Sequence, residues 1–222
     1  MSISDDFHTR FAEVFAPLGF RKRARGHFFR KVAPGVQAGL FMPLSHDAES
    51  GESGVIPTVG VRHDAVELLL KKHFLDKQSA RSTNLTLAAP LYSPEPGART
   101  VWYMGDAAGV ERTVDAFLRL YRERGVPFVD RYADPRAVFR TLRADLEWDG
   151  GPRAAAGMVL AALCDAPGAG AELAADAVEA LRTGGVPRGD RLAVLLRALA
   201  EETDLELTAE QDAALREAAP SA

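Results

Sequence analysis

The residues best equipped for chemistry lie together. The stretch GFRKRARGHFFRK, residues 19–31, places Arg21, Lys22, Arg23, Arg25, Arg30 and Lys31 beside His27 in a chain whose formal net charge is −4. Guanidinium groups spaced along a strand suit carboxylate or phosphate partners, because each presents a planar fork of donors. If residues 20–25 are extended, Arg21, Arg23 and Arg25 share one face while Phe20, Lys22 and Ala24 take the other, and Gly26 turns the chain into HFFRKV. Phe28 and Phe29 are adjacent and so fall on opposite faces, which predicts that one is exposed and free to stack on a base. Two other uses of the cluster compete with anion binding. Lys and Arg protect edge hairpins from aggregation, and acidic helices elsewhere in the chain could fold back on the patch.

Other chemistry is thinner. The five histidines include the pairs His46-Asp47 and His63-Asp64, but no H-E-x-x-H or C-x-x-C spacing accompanies them, so no metal or cofactor is expected. His63 ending a strand and Asp64 capping the next helix explains that pair equally well; the chemical alternative is a hydrolase-like enzyme using His63 and Asp64. No G-x-S-x-G is present, and no catalytic residue is assigned. Cys164, the only cysteine, closes an Ala- and Leu-rich run, the setting of a buried small hydrophobe. The segment GDAAGVERT, 105–113, lacks the Lys and Gly spacing of a nucleotide loop and reads as a capped helix start. Trp102 and Tyr103 alternate faces on a strand: one anchors the core against the first helix and the other lines a shallow cleft, for which His63 is a further candidate.

The elements that position these residues change in kind along the chain. Residues 4–18 read as an amphipathic helix, with Ser4 as N-cap, Phe7, Phe11, Val14, Phe15 and Leu18 on one stripe, and Gly19 as the stop. From Phe20 the period is two: HFFRKV, VQAGLFMPL and VIPTVGVR predict an antiparallel meander. A helix from Asp64 carries Val66, Leu69, Leu70 and Phe74. LTLAAPLY and RTVWYM predict two more strands joined by SPEPGA, with Leu85, Leu87, Ala89 and Leu91 facing the core. Asp106 then caps a helix bearing Val110, Val114, Phe117, Leu118 and Tyr121 and stopped by Gly125; Asp134 and Pro135 open another, bearing Val138, Phe139, Leu142 and Leu146.

Near Gly150 and Gly151, next to Trp148, the composition shifts to Ala, Leu and acid without a single aromatic residue. Helices are predicted at 152–164, 170–182, 189–202 and 209–218, the last opened by a capping box of Thr208 and Gln211. The Pro-Arg starts of GPRAAAGMVLAAL and VPRGDRLAVLLRAL hint at stacked helix pairs, and an ordinary four-helix appendage accounts for the same pattern. Charge follows the same division. Residues 1–100 hold 13 basic and 10 acidic side chains, net +3, whereas residues 151–222 hold 6 and 12, net −6.

The order of helix, GFRKRARGHFFRK, strands, TVGVR, a strand pair ending in WYM, a helix and GVPFVDRYADPRAVF resembles the bacterial domain of unknown function 4304 family. The matching positions are Gly19, Phe20, Lys22, Phe29, Lys31, Trp102, Gly125, Pro127 and Phe128, and the likeness covers residues 1–150. It implies an α+β fold and carries no activity or catalytic residue.

Taken together, the expected architecture is an α+β domain at 1–150, an antiparallel sheet of about five strands with helices on one face, followed by an acidic all-α region at 151–222. With 47% hydrophobic residues the chain has ample material for a core, and no apolar run reaches the roughly 20 residues of a membrane span. The acidic MSISDDF start and the lone cysteine place it in the cytoplasm, with no membrane association. The expected function is a non-catalytic binding or adaptor protein with a protein partner, in its narrowest form an immunity-type inhibitor. Nucleic-acid binding through the basic hairpin is the alternative, against which the acidic net charge counts.

Overall fold

The computed structural model describes residues 2–46, 51–75, 84–92, 101–144, 152–164, 167–183, 189–203 and 205–219. Asp47, the connection 93–98, Leu146, Trp148, the boundary at Gly150 and Gly151 and the second Pro-Arg start lie outside them. The chain is α+β, and it forms two compact units that are discontinuous in sequence. Residues 1–62 and 87–133 make the first, and residues 63–86 and 134–222 the second.

The first unit begins with α1 (Ile3–Phe15), which a three-residue 3-10 turn extends to Gly19 at φ +87. Ser2, not Ser4, caps this helix, accepting from the Asp5 backbone N–H at 3.2 Å, and Ser4 is thereby released for another contact. Strands β1 (Arg21–Ala24), β2 (His27–Ala33), β3 (Val36–Phe41), β4 (Leu44–His46), β5 (Ser53–Val55) and β6 (Thr58–His63) follow. The predicted strands VQAGLFMPL and VIPTVGVR are each interrupted before a proline, after Phe41 and after Val55, because Pro43 and Pro57 cannot donate to a ladder. The interruptions divert β4 and β5 into a second sheet.

Helix α2 (Asp64–His73) belongs to the second unit; β7 (Leu87–Pro90) and β8 (Trp102–Met104) return to the first. The larger antiparallel sheet runs β1-β2-β3-β6-β7 and the smaller β4-β5-β8. Helix α3 (Ala107–Leu120) passes through a π-turn at Tyr121–Gly125 directly into α4 (Val126–Tyr132). Gly125 is therefore not a stop. Its backbone is helical at φ −67, and a Cβ there would lie 2.3 Å from the Tyr121 ring, so glycine answers a close approach. Pro127, lacking an N–H, follows at the start of α4 and favours the irregular turn before it.

Aromatic rings fill the space between α1, α3 and the large sheet. Phe11 stacks on Phe15 with centroids 4.1 Å apart and meets Phe28 of β2 at 4.7 Å, while Phe117 of α3 meets Phe7 at 6.2 Å and Trp102 at 4.9 Å. All are buried. Each contributes about 1.5–3 kcal/mol of burial, so this cluster anchors the unit and holds the start of α1 against the sheet.

The second unit joins α2 to α5 (Pro135–Ala144), α6 (Pro152–Leu163), α7 (Pro167–Arg182), α8 (Gly189–Glu202) and α9 (Ala209–Ala218). Helix α6 packs against α2, α5, α7 and α8 at once. Its Ala154, Ala155, Ala156, Met158, Val159, Leu160 and Ala161 are all buried, which explains a sequence with little amphipathic contrast and small side chains that let neighbours approach. The expected capping box at Thr208 and Gln211 is present. Helix α2 joins this unit because Val66, Leu70 and Phe74 are buried in it, and Lys72 and His73 meet Glu202 of α8 at 2.6 and 2.9 Å.

Candidate functional site

β1 forms one edge of the large sheet, and Arg21, Lys22, Arg23 and Ala24 are all exposed. A two-residue turn at Arg25 and Gly26 leads into β2; Gly26 sits at φ +73, and a Cβ would meet the Met42 carbonyl oxygen at 2.7 Å. Only glycine fits there. A register irregularity between Lys22 and Ala24 breaks the simple alternation before Arg25.

Arg21, paired with Phe29, and Arg23, lying over the Phe29 ring, keep one face as expected, and Arg25, past the irregularity, departs from it. Arg21 Nη1 donates to the carbonyl oxygens of Ala16 and Phe20 at 3.2 and 3.1 Å, at the C-terminal end of α1. Arg23 lies over the Phe29 ring, its Cζ 4.9 Å from the centroid, and donates to Gln37 Oε1 at 2.5 Å. Arg25 Nη2 donates to Ser4 Oγ at 2.7 Å, at the opposite end of α1. Arg30 is half-buried, its guanidinium 5.5 Å from the Phe20 centroid and 6.0 Å from that of Tyr121, so it belongs to the core margin. Lys31 is exposed on β2.

Phe28 and Phe29 are both buried, at 1% and 4% exposure. The expected exposed ring is absent because each face has its own cover: Phe11 over Phe28, and the Arg23 side chain over Phe29. His27, half-buried, stacks on Phe41 of β3 at 4.2 Å instead.

Among the described residues, no cation of this hairpin is paired with a carboxylate. Elsewhere such pairs are common: Arg10 with Glu111 at 2.9 Å, Arg143 with Glu172 at 2.6 Å and Arg182 with Glu210 at 2.7 Å. Arg21 and Arg23 donate to neutral oxygens, which leave their charge uncompensated at the sheet edge.

Beside the turn lies a cleft of about 370 Å³ between the start of α1 and the β4–β5 hairpin. Its polar lining is Ser4, His8, Arg25, Ser45, His46 and Ser53. His8 is 4% exposed, and its Nε2 is buried beside the backbone of Gly26 and Met42. Burial first, then the neighbouring Lys22, pushes its pKa below the ordinary value. Nothing in the sequence singled out His8: it lies one position from Phe7 on an amphipathic helix, and only the packing of Met42 and Gly26 against it shows where it points.

Trp102 and Tyr103 divide as expected, Trp102 buried and Tyr103 55% exposed. Trp102 packs on Phe117 of α3 rather than on the first helix. Both line a second cleft of about 410 Å³ with Glu52, Arg112 and Thr113. His63 is buried at the junction of β6 and α2, in the other unit. It occupies the cap position of α2 without a side-chain cap, and Asp64 is the first helical residue. The His63 backbone N–H donates to the Thr86 hydroxyl at 3.0 Å, which donates to the buried Glu67 carboxylate at 2.9 Å. Glu67 is a buried acid on the face that the apolar pattern of α2 assigned to hydrophobes.

Among the described residues no group of His, Cys, Asp and Glu is placed to hold a metal ion, and Cys164 is buried. No helix there is long and apolar enough to cross a membrane. No protein-family model, curated protein or solved structure matches this chain, so the likeness to the 4304 family rests on the residues that suggested it.

Proposed function

We propose that this is a non-catalytic binding protein whose β1 edge receives an extended acidic segment of a protein partner. The observation that carries the reading is the uncompensated charge of β1: Arg21, Lys22 and Arg23 are exposed on an edge strand, and the hydrogen bonds of Arg21 and Arg23 go to carbonyl and amide oxygens. An edge strand offers unpaired backbone groups to a further strand, which supplies affinity, while fixed positive charge selects acidic sequences and repels basic ones.

A second reading, nucleic-acid binding, is favoured by the His27–Phe41 stack, a half-buried ring pair on the same hairpin sheet as Lys31. Fluorescence anisotropy separates the two. Peptides of about eight residues alternating Glu with Val or Ile are titrated beside oligouridylate of matched charge. The strand-edge reading expects the peptide to bind, binding to weaken with salt, and Arg21→Glu with Arg23→Glu to abolish it. Binding of oligouridylate alone transfers the assignment to nucleic acid, and binding of neither removes the basic edge as a site.

A further inference from the structure

Two helices of the second unit carry charged faces that answer each other. Helix α5 contains no acidic residue, and its exposed side holds Arg136, Arg140 and Arg143 at i, i+4 and i+7 above a buried apolar face. Helix α7 repeats the spacing with the opposite sign: Glu172, Asp176 and Glu179 are exposed at i, i+4 and i+7. At about 1.5 Å of rise per residue, each stripe runs about 10.5 Å. The two stripes meet where Arg143 Nη2 donates to Glu172 Oε2 at 2.6 Å, so the end of the basic stripe is joined to the start of the acidic one.

Away from that junction the charges are unspent. Among the described residues the side chains of Arg136, Arg140 and Asp176 enter no ion pair, and Glu179 has only the field of Arg182, which is itself bonded to Glu210 at 2.7 Å. Asp134, the acid just before α5, accepts from the Arg136 backbone N–H at 2.9 Å. Like charges one turn apart weaken the helix that carries them, so each stripe is unfavourable alone and is relieved by a surface of opposite sign and equal pitch. An acidic partner would answer only α5 and a basic one only α7, whereas a second copy answers both. Turned about a twofold axis at the Arg143–Glu172 junction, the band meets its own complement, and each contact forms twice.

We propose that α5 and α7 form a self-complementary face through which two copies of this chain pair, Arg136 and Arg140 of one meeting Glu179 and Asp176 of the other. Exposed ion pairs are individually weak and are screened by salt, so the dimer is expected at about 100 μM protein in low salt and is lost by about 0.5 M salt. Sedimentation velocity of the full chain, from about 10 to 500 μM, tests this. Arg136→Glu with Arg140→Glu, and separately Asp176→Lys with Glu179→Lys, set like charge against like, and each protein is expected to stay monomeric. Mixed in equal amounts, the two variants present each other with opposite charges at both contacts, and a heterodimer is expected. All four positions are exposed, circular dichroism follows the fold of each variant, and the salt dependence of the wild type needs no variant. A wild type that is monomeric at about 500 μM in low salt, or a dimer that salt does not dissociate, overturns the proposal. So does a dimer that persists in either variant, or two folded monomeric variants that fail to pair when mixed. Self-association lost in Arg21→Glu with Arg23→Glu would place the contact on β1 and overturn it as well, so the failure of this face and of the strand edge give different patterns.

Discussion

The guanidinium of Arg23 covers the ring of Phe29, with 4.9 Å between Cζ and centroid, and this one contact lets two consecutive phenylalanines be buried on opposite faces of the same strand. A charged side chain here does the work of a core residue on its aliphatic and planar surfaces while its charge stays at the edge.

Arg23→Ala therefore uncovers Phe29. A loss of about 0.5–1 kcal/mol is expected from the cation–π contact, and near-ultraviolet or ring NMR signals of Phe29 should report solvent. Arg23→Lys retains the charge but not the planar stack, so it should fall between the two in urea denaturation. Equal stability of all three proteins contradicts the role.

His8 carries a pH signature. Its folded-state pKa lies below the ordinary 6.5, through burial and then through Lys22. Below about 6.5 the unfolded chain takes up a proton that the fold refuses, so stability is lost as pH falls through that region. Urea midpoints should drop between about pH 7 and pH 5, before the carboxylates titrate. His8→Gln should flatten the drop, and an unchanged slope would show that His8 titrates normally.

Gly125→Ala tests the close approach at the π-turn. With a helical backbone, alanine alone should favour the helix; with the Tyr121 ring 2.3 Å from the new Cβ, a cost of about 1–3 kcal/mol is expected instead. Pairing it with Tyr121→Leu should recover part of the loss. A stabilised single variant would mean the ring moves aside freely.

The discontinuous second unit predicts cooperative opening. Native-state hydrogen exchange should find the amides of α2 opening with those of α6 and α8, and Leu196→Ala, expected to cost about 2–5 kcal/mol at a fully buried site, should release α2 together with them. Protection of α2 that follows β6 instead would contradict this division.

How legible all this was in the sequence depended on the range of the interaction. Helix starts set by local caps, Asp106, Thr208 and the Asp134-Pro135 pair, were readable because the cap and the helix are neighbours in the chain. The antiparallel strands followed from period-two patterning, although the WYM strand joins the smaller sheet and β1 takes its place in the larger, and the turn at Gly26 followed from a glycine between strands. What escaped depends on packing between distant segments. The placement of α2 with the C-terminal helices is decided by Val66, Leu70 and Phe74, whose spacing is the same whichever surface they cover. Gly125 looks like any helix stop until the Tyr121 ring is placed on it. The departure of Arg25 from the face of Arg21 and Arg23 turns on one register irregularity, and the cleft of His8 on four segments meeting.

The central claim, that the β1 edge accepts an acidic strand, is tested most directly by amide hydrogen exchange of β1 with and without the alternating Glu and Val peptide. The account predicts slowed exchange at Arg21–Ala24 on peptide addition, lost when a proline interrupts the peptide's ladder positions and weakened at high salt. Binding that leaves the β1 amides exchanging at their free rate would contradict strand addition and place the contact on side chains alone.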